Sequence, residues 1–333
     1  MTADPQTYAT AASALLAADS VAVTTHLNPD GDGIGAGLAL LLALEGLGKR
    51  VEFLCPSKVA SMYGFLPEFS RITVVEDLAV AKARAEVDVL ISCDCGDLQR
   101  LGAVAAVPRK LLINLDHHAS NTNFGDVNLV DLDAESSGVA VQQLLVGMGV
   151  TVDRAMAECL YTTIIFDTGR FMHSNTTSRS LRWTADLLDT GIDSSRINRL
   201  MTYTRTPGDL AVQRFAMGKL VVDPLESRVA GIAFTLEDMA AEKLSEPEDW
   251  GDLVEVPRSL RGNEVAFLAR QRVDKEGAPI VKLSLRSNPP YAVGPVAQHF
   301  GGGGHLQAAG ATVPGTLAQI LPDLLPRLRA VLG

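Results

Sequence analysis

Cysteine is scarce in this 333-residue chain. The four present, Cys55, Cys93, Cys95 and Cys159, form no zinc-ligand pattern. Cys93 and Cys95 lack the two-residue spacer of a thioredoxin-like pair, so small buried thiols in a reducing compartment are expected. Aromatic residues make up only 5%, and 29 basic residues are outnumbered by 39 acidic ones, for a formal charge of -10. That balance argues against a wrapper of long duplex DNA, which needs a broad basic surface. It does not argue against a small anionic substrate, because bound cations or a local Arg/Lys cluster reverse the sign inside a cleft. No apolar run reaches membrane-spanning length without interruption by Asp, Glu, Gly, Lys or Arg. Met1–Thr10 carries Asp4 and no basic cluster, unlike a secretory leader, so a soluble cytoplasmic protein is expected. A G-x-x-x-x-G-K-[S/T] phosphate loop is missing too, and the spacing of Gly31, Gly33 and Gly35 is not that of a dinucleotide fingerprint.

What is present is enough apolar side chain, 47% of the chain, to fill about two domains' worth of core. In the first half, short apolar runs alternate with helical patterns. Val21–Thr25, Val51–Leu54, Val87–Cys93 and Lys110–Leu115 read as strands, and Ile34–Leu47 repeats apolar residues at helical spacing. Ser137–Gly147, Arg154–Phe166 and Thr177–Leu188 read as further helices. The rhythm predicts an α/β fold with a mostly parallel sheet and flanking helices, in which ligands collect at the carboxyl ends of strands. Around Gly191–Asp209 the chain turns Ser/Thr/Arg/Pro-rich. The expected organisation is a catalytic domain over 1–190, a connector over 191–215, and a smaller α/β domain over 216–333 across a cleft. In that second domain Glu264–Gln271 and Ile280–Leu285 read as paired antiparallel strands.

Polar clusters begin where the apolar runs stop. After the first strand comes His26-Leu27-Asn28-Pro29-Asp30-Gly31-Asp32-Gly33, whose proline and glycines favour a sharp turn that can gather His26, Asp30 and Asp32. Asp94 ends the third strand, Asp116-His117-His118 follows the fourth, and Asp167 ends an apolar helix. Each has a plainer reading alone, as a helix cap or a strand-end carboxylate. Together they have an electrostatic reading: two carboxylates about 4 Å apart repel by roughly 4 kcal/mol at an effective dielectric near 20. Divalent cations relieve that repulsion and use both imidazole and carboxylate ligands. A pair of them about 3.5–4 Å apart suits phosphoester hydrolysis. Asp116 could orient a histidine through its second ring nitrogen.

These motifs resemble the DHH phosphoesterase superfamily, and within it the nanoRNase and phosphoadenosine-phosphate phosphatase branch that carries a C-terminal DHHA1 domain. The resemblance implies two manganese ions: His26 and Asp30 on one, Asp32, His117 and Asp167 on the other, and Asp94 bridging both. It implies that His118 faces the scissile phosphate, that Asp116 supports the adjacent imidazoles, and that a hydroxide held between the ions attacks phosphorus. The substrates it implies are short RNA, linear or cyclic adenine dinucleotides and 3'-phosphoadenosine 5'-phosphate. A homodimer built by first-domain helices is implied as well.

In the second half, Gly301-Gly302-Gly303-Gly304-His305 can expose several backbone N–H groups as a nest for phosphate oxygens, with His305 adding a contact. A tightly packed glycine turn is the plainer reading. The run resembles the GGGH-type signature of the DHHA1 domain, which favours substrate binding, and the same likeness marks Arg286 as a phosphate clamp, with Ser287 beside it. The competing functions are a manganese-dependent inorganic pyrophosphatase, a RecJ-like exonuclease for longer strands, and a noncatalytic nucleotide sensor. The glycine run weighs against the first, the absence of an evident extra nucleic-acid-binding domain against the second, and the intact Asp/His set against the third.

Overall fold

A computed structural model of the chain describes residues 4–203, 206–244 and 251–333. The chain divides into two compact units, Met1–Thr204 and Arg205–Gly333.

The first unit runs α1 (Pro5–Ala17), β1 (Ser20–Thr24), α2 (Gly31–Gly46), β2 (Arg50–Cys55), β3 (Ile72–Val74), α3 (Leu78–Lys82), β4 (Val87–Cys93), β5 (Arg109–Asp116) and β6 (Val127–Val130). It ends with α4 (Ser137–Gly147), α5 (Arg154–Asp167), α6 (Ser178–Asp189) and α7 (Ser194–Thr202). The strands pair in parallel in the order β3-β2-β1-β4-β5-β6. Val21, Val23 and Ile91 face a core shared with α1, α2, α4 and α5. On the opposite face Ala22, Leu90 and Leu112 pack with Ala81 of α3 and with Val104. Burial on both faces is why these strands read as nearly continuous apolar runs. The chain leaves β1 towards β2 and β3 and then returns to place β4 on β1's other side. The order therefore reverses between β1 and β4, and at such a switch point the loops diverge and leave a crevice.

Helix α2 lies close against α5. A Cβ on its Gly35 would lie 2.6 Å from the Cys159 carbonyl oxygen of α5, so the small side of α2 is what lets the two helices meet backbone to backbone. α1, β3, α3 and β6 escaped the sequence reading. Alanine and threonine give α1 little contrast between its faces, and β3 and β6 are only three and four residues long.

The second unit runs α8 (Pro207–Gly218), β7 (Leu220–Val222), β8 (Val229–Phe234), α9 (Leu236–Ala241), α10 (Glu255–Arg258), β9 (Val265–Val273) and β10 (Pro279–Ser287). α11 (Gly294–His299), β11 (Gly303–Gly304), β12 (Ala308–Pro314) and α12 (Leu317–Ala330) complete it. Its mixed sheet has the order β11-β12-β10-β9-β8-β7, antiparallel except for β8 and β9. Alternation sorts β9: Val265, Phe267 and Ala269 pack towards α11 and α12, while Ala266 and Leu268 pack towards α8 and α9. The stretch read from sequence as Ser/Thr/Arg/Pro-rich contains α7 and the start of α8.

Candidate metal centre

The carboxyl ends of β1, β4 and β5, the first turn of α2 and the last residue of α5 meet at the switch point. His26 follows β1, and its Nδ1 lies 2.8 Å from the Leu27 carbonyl oxygen. That hydrogen bond fixes the ring so that Nε2 faces Asp94 Oδ2 at 3.3 Å and Asp30 Oδ2 at 3.6 Å. Asp30 caps α2, accepting from the N–H groups of Asp32 and Gly33. Pro29 and Gly31 flank it, as the turn requires.

A second triplet lies beside the first. His117 places Nδ1 3.3 Å from the Ala134 carbonyl oxygen and turns Nε2 to Asp167 Oδ2 at 3.0 Å and Asp32 Oδ2 at 3.5 Å. Asp32 is held in turn by the start of α4, whose Ser137 and Gly138 N–H groups donate to its two oxygens at 2.7 and 3.2 Å. A helix N-terminus favours a carboxylate there. Asp167, by contrast, ends α5, where the helix dipole disfavours negative charge, and its carboxylate faces the His117 ring instead.

Asp94 joins the triplets. Its Oδ2 faces His26, while Oδ1 lies 3.9 Å from His117 Nε2 and 3.5 Å from His118 Nδ1. The residue has φ of +58°, a left-handed conformation that costs a side-chain-bearing residue about 1–2 kcal/mol. Its N–H is tied to the Leu115 carbonyl. The strained turn aims the carboxylate across the gap rather than along β4. Gly33 leaves the room: a Cβ there would lie 2.1 Å from Thr25 Oγ1 and 3.4 Å from Asp94 Oδ2.

Asp116 lies behind the triplets: one of its oxygens falls within 4.8 Å of ligand atoms of Asp94, His117 and His118. Its Oδ1 accepts from His118 Nδ1 at 2.8 Å and from the His117 main-chain N–H at 2.8 Å, and its Oδ2 from Asn121 Nδ2 at 2.5 Å. It therefore orients the His118 ring, while the ring of His117 is set by the Ala134 carbonyl. Asn121, Ala134, Ser137 and Gly138 are parts of the site that the sequence reading missed. Three of them act through main-chain atoms, which leave no residue-type signal.

The protonation state follows from this crowding. Burial alone would lower His26, but hydrogen bonds to Asp30 and Asp94 and their charge reverse that and push it up to about 10. His117 behaves the same way: burial opposes its proton, and Asp167, Asp32 and Asp94 more than restore it. Burial and the charges of Asp167 and Asp94 hold Asp32 well above the ordinary carboxylate range. Burial, with the charge of Asp30, raises Asp94 too. Asp30 goes the other way: against burial, the hydrogen bond and charge of His26 lower it to about 2. In each triplet, His26/Asp30/Asp94 and Asp32/His117/Asp167, the offered ligand atoms all lie within 4.8 Å of one another. One imidazole and two carboxylates apiece is the donor set of a borderline divalent ion. The residues of the two triplets fit such ions.

The sequence matches are in register with this geometry. Residues 20–164 match the DHH family, N-terminal domain, and residues 235–333 match the DHHA1 domain. The chain is 33% identical over 301 residues to the bifunctional oligoribonuclease and PAP phosphatase NrnA of Thermus thermophilus, covering 88% of this chain and 84% of that one. The chain belongs to the DHH family. A probable NrnA of Streptococcus mutans is 25% identical over 88% of this chain and 89% of its own. The crystal structure of an exopolyphosphatase-related protein from Bacteroides fragilis has the same fold, with a TM-score of 0.85 at 24% identity, covering 98% of this chain and 97% of that one. With its two candidate metal triplets, this DHH protein is a hydrolase of the phosphoesterase class. Among the described residues, no helix is long and apolar enough to cross a membrane.

The second unit gathers its own expected residues at one end of its sheet. Arg286 pairs with Ala308 across β10 and β12, and Gly303 and Gly304 pair with Gly310 and Ala309. Arg286 lies 3.8 Å from Glu255 and donates to the Leu285 carbonyl. Burial lowers its pKa against the pull of Glu255. The buried Ser287 hydroxyl donates to the Tyr291 carbonyl. The glycine run differs from an open row of N–H groups: those of Gly301, Gly302 and His305 are donated to the carbonyls of Gln298, Ala297 and Ala308. A Cβ on Gly302 would lie 2.0 Å from the Gly310 carbonyl oxygen, so close packing on β12 explains this glycine without a ligand.

Proposed function

We propose that the chain is a manganese-dependent phosphoesterase that hydrolyses short RNA oligonucleotides, linear and cyclic di-AMP to AMP, and 3'-phosphoadenosine 5'-phosphate to AMP. The observation that carries this reading is the pair of His/Asp triplets meeting at Asp94. The names of the Thermus and Streptococcus relatives support the choice of oligonucleotide and PAP substrates.

In this reading His26 and Asp30 would hold one cation, Asp32, His117 and Asp167 would hold the other, and Asp94 would serve both. When bound, the cations supply positive charge for phosphoryl oxygens and activate water for attack. The chain's own residues do the positioning. Asp116 fixes the His118 ring through Nδ1, and in this reading the ring contacts a phosphoryl oxygen of the substrate. In the cation-free site burial opposes the His118 proton, but the hydrogen bond to Asp116 and the charge of Asp94 raise its pKa. A protonated imidazole donates to the oxygen where charge builds up. Asp30 caps α2, and Asp32, two residues on in the same first turn, reaches the start of α4.

The reading includes a catalytic domain over 1–190, a connector over 191–215 and a substrate-binding domain over 216–333, in which Arg286 is the phosphate clamp. The side chain of His305 and the exposed edge of Gly303 and Gly304 add contacts. Gly301 and Gly302 shape the turn that presents them, and Ser287 holds the neighbouring turn through Tyr291. A cytoplasmic location fits the four free, buried cysteines. A homodimer through first-unit helices belongs to the same reading, and the exposed Leu181 and Leu188 of α6 support it.

The test is a substrate panel with manganese and after metal stripping: 5'-phosphorylated dinucleotides, RNA of increasing length, cyclic-di-AMP, 3'-phosphoadenosine 5'-phosphate and pyrophosphate. Metal-dependent release of AMP from the dinucleotides and from 3'-phosphoadenosine 5'-phosphate is expected. Preference for pyrophosphate, or activity confined to long RNA, would overturn the reading.

A further inference from the structure

Glu135 is a buried carboxylate that belongs to neither triplet. Its Oε1 accepts from the Thr177 hydroxyl, and its Oε2 lies 3.3 Å from Arg179 Nη2, which also donates to the Asp133 carbonyl. The neighbours of Glu135 along the chain serve the second triplet. Ala134, one residue before, offers its carbonyl to His117, and Ser137 and Gly138, just after, hold Asp32.

The third member of that triplet is tied to the same point from the other side. Asn175 Nδ2 donates to the Glu135 carbonyl and to the Asp167 carbonyl, both at 3.2 Å. The chain returns from Asp167 to Asn175 through a strained turn, with Gly169, Arg170 and Phe171 at φ of +55°, +57° and +67°. Two successive side-chain-bearing residues in this conformation cost about 1–3 kcal/mol each and persist only where surrounding contacts fix them. Here the turn also brings His173 Nδ1 to 3.1 Å from the Asp167 carbonyl oxygen. The anchors of the first triplet lie elsewhere, at the Leu27 carbonyl and the cap of α2.

We propose that Glu135, Asn175 and Arg179 form a clamp that positions the Asp32/His117/Asp167 triplet for its cation without setting the His26/Asp30/Asp94 triplet. The inference rests on the two-cation reading above. Outer contacts of this kind typically change metal affinity by about 10–100-fold, because they fix where the ligand atoms can sit. The clamp thereby makes the two cations separately tunable. One affinity depends on the 133–138 segment and the 168–179 turn, and the other on the turn after β1.

Asn175 is the position to change, because its side chain is exposed and borders a cavity of about 430 Å³, so its loss opens no hole in a core. Manganese binding is measured calorimetrically on the full chain as wild type, Asn175→Ala and the near-isosteric Asn175→Asp, which lacks the donating N–H group. Each site is isolated in a His26→Ala or a His117→Ala background. With His26→Ala, both Asn175 variants should weaken manganese binding by about 10–100-fold. With His117→Ala they should leave it unchanged. Arg179→Lys, which keeps the charge and loses the fork, should weaken the same site as the Asn175 variants. Unchanged affinity in the His26→Ala background, or equal loss in both backgrounds, overturns the clamp. Wild-type protein that binds fewer than two manganese ions overturns instead the two-cation reading on which it rests.

Discussion

Asp94 presents Oδ2 to His26 Nε2 at 3.3 Å and keeps Oδ1 for the far half of the site. One carboxylate at the end of β4 thereby links groups that β1, α2, β5 and α5 deliver separately. It can do so because its left-handed backbone turns the side chain out of the strand direction. The chemistry assigned to this chain depends on that link.

Asp94→Asn should remove the link while preserving shape. The expected loss in kcat/KM on a dinucleotide is on the order of 1,000-fold, the equivalent of about 4 kcal/mol of transition-state stabilisation. Manganese stoichiometry by calorimetry should fall below two. A variant that keeps both would show that Asp94 bridges nothing.

Asp116→Asn should act on a single ring. The expected effect is a fall in kcat of about 10–100-fold with both manganese ions retained. Added to His118→Ala it should cost little more, because the two residues work as a unit. Additive losses would contradict the pairing seen at 2.8 Å.

The fold was legible where burial is one-sided or complete. The runs Val87–Cys93 and Ser137–Gly147 match β4 and α4 residue for residue. Doubly buried parallel strands announce themselves, whereas α1 with its small side chains and the short β3 do not. In the site, side chains at strand ends were readable because Asp and His are conspicuous after apolar runs. Their supports were not. The Ala134 carbonyl and the Ser137 N–H could belong to any residue, and Asn121 and Asn175 lie in polar loops where asparagine is ordinary. The glycine run shows the converse limit, since a sequence cannot tell an open row of N–H groups from one already bonded to Gln298, Ala297 and Ala308.

Metal binding should be tied to pH in a defined direction. His26 titrates near 10 in the cation-free site, against about 6.5 when unfolded, and His117 is raised as well. Their contribution to stability is therefore complete below about pH 6.5 and is lost as pH rises through the folded values. Asp32 and Asp94, also raised, push the same way from about pH 4 upward, because a folded state that holds extra protons loses stability as they leave. The metal-free Tm should fall between pH 7 and 10, and manganese affinity should rise over that range as fewer protons must be displaced. Calorimetry in buffers of different ionisation enthalpy should register proton release. Proton uptake, or none, would contradict these assignments.

Gly33→Ala should be costly beyond its helix propensity, which favours alanine. The added Cβ meets Thr25 Oγ1 and crowds Asp94, so destabilisation of about 1–3 kcal/mol is expected, with weakened manganese binding. Gly46→Ala on the same helix, where a Cβ meets nothing within 4 Å, should be neutral or stabilising in the same denaturation assay.

The most direct measurement is crystallography of the manganese-loaded protein with anomalous scattering at the metal edge. Two peaks about 3.5–4 Å apart are expected, one among His26, Asp30 and Asp94 and one among Asp32, His117 and Asp167, with Asp94 contacting both. A single peak, or peaks outside these residues, would contradict the account.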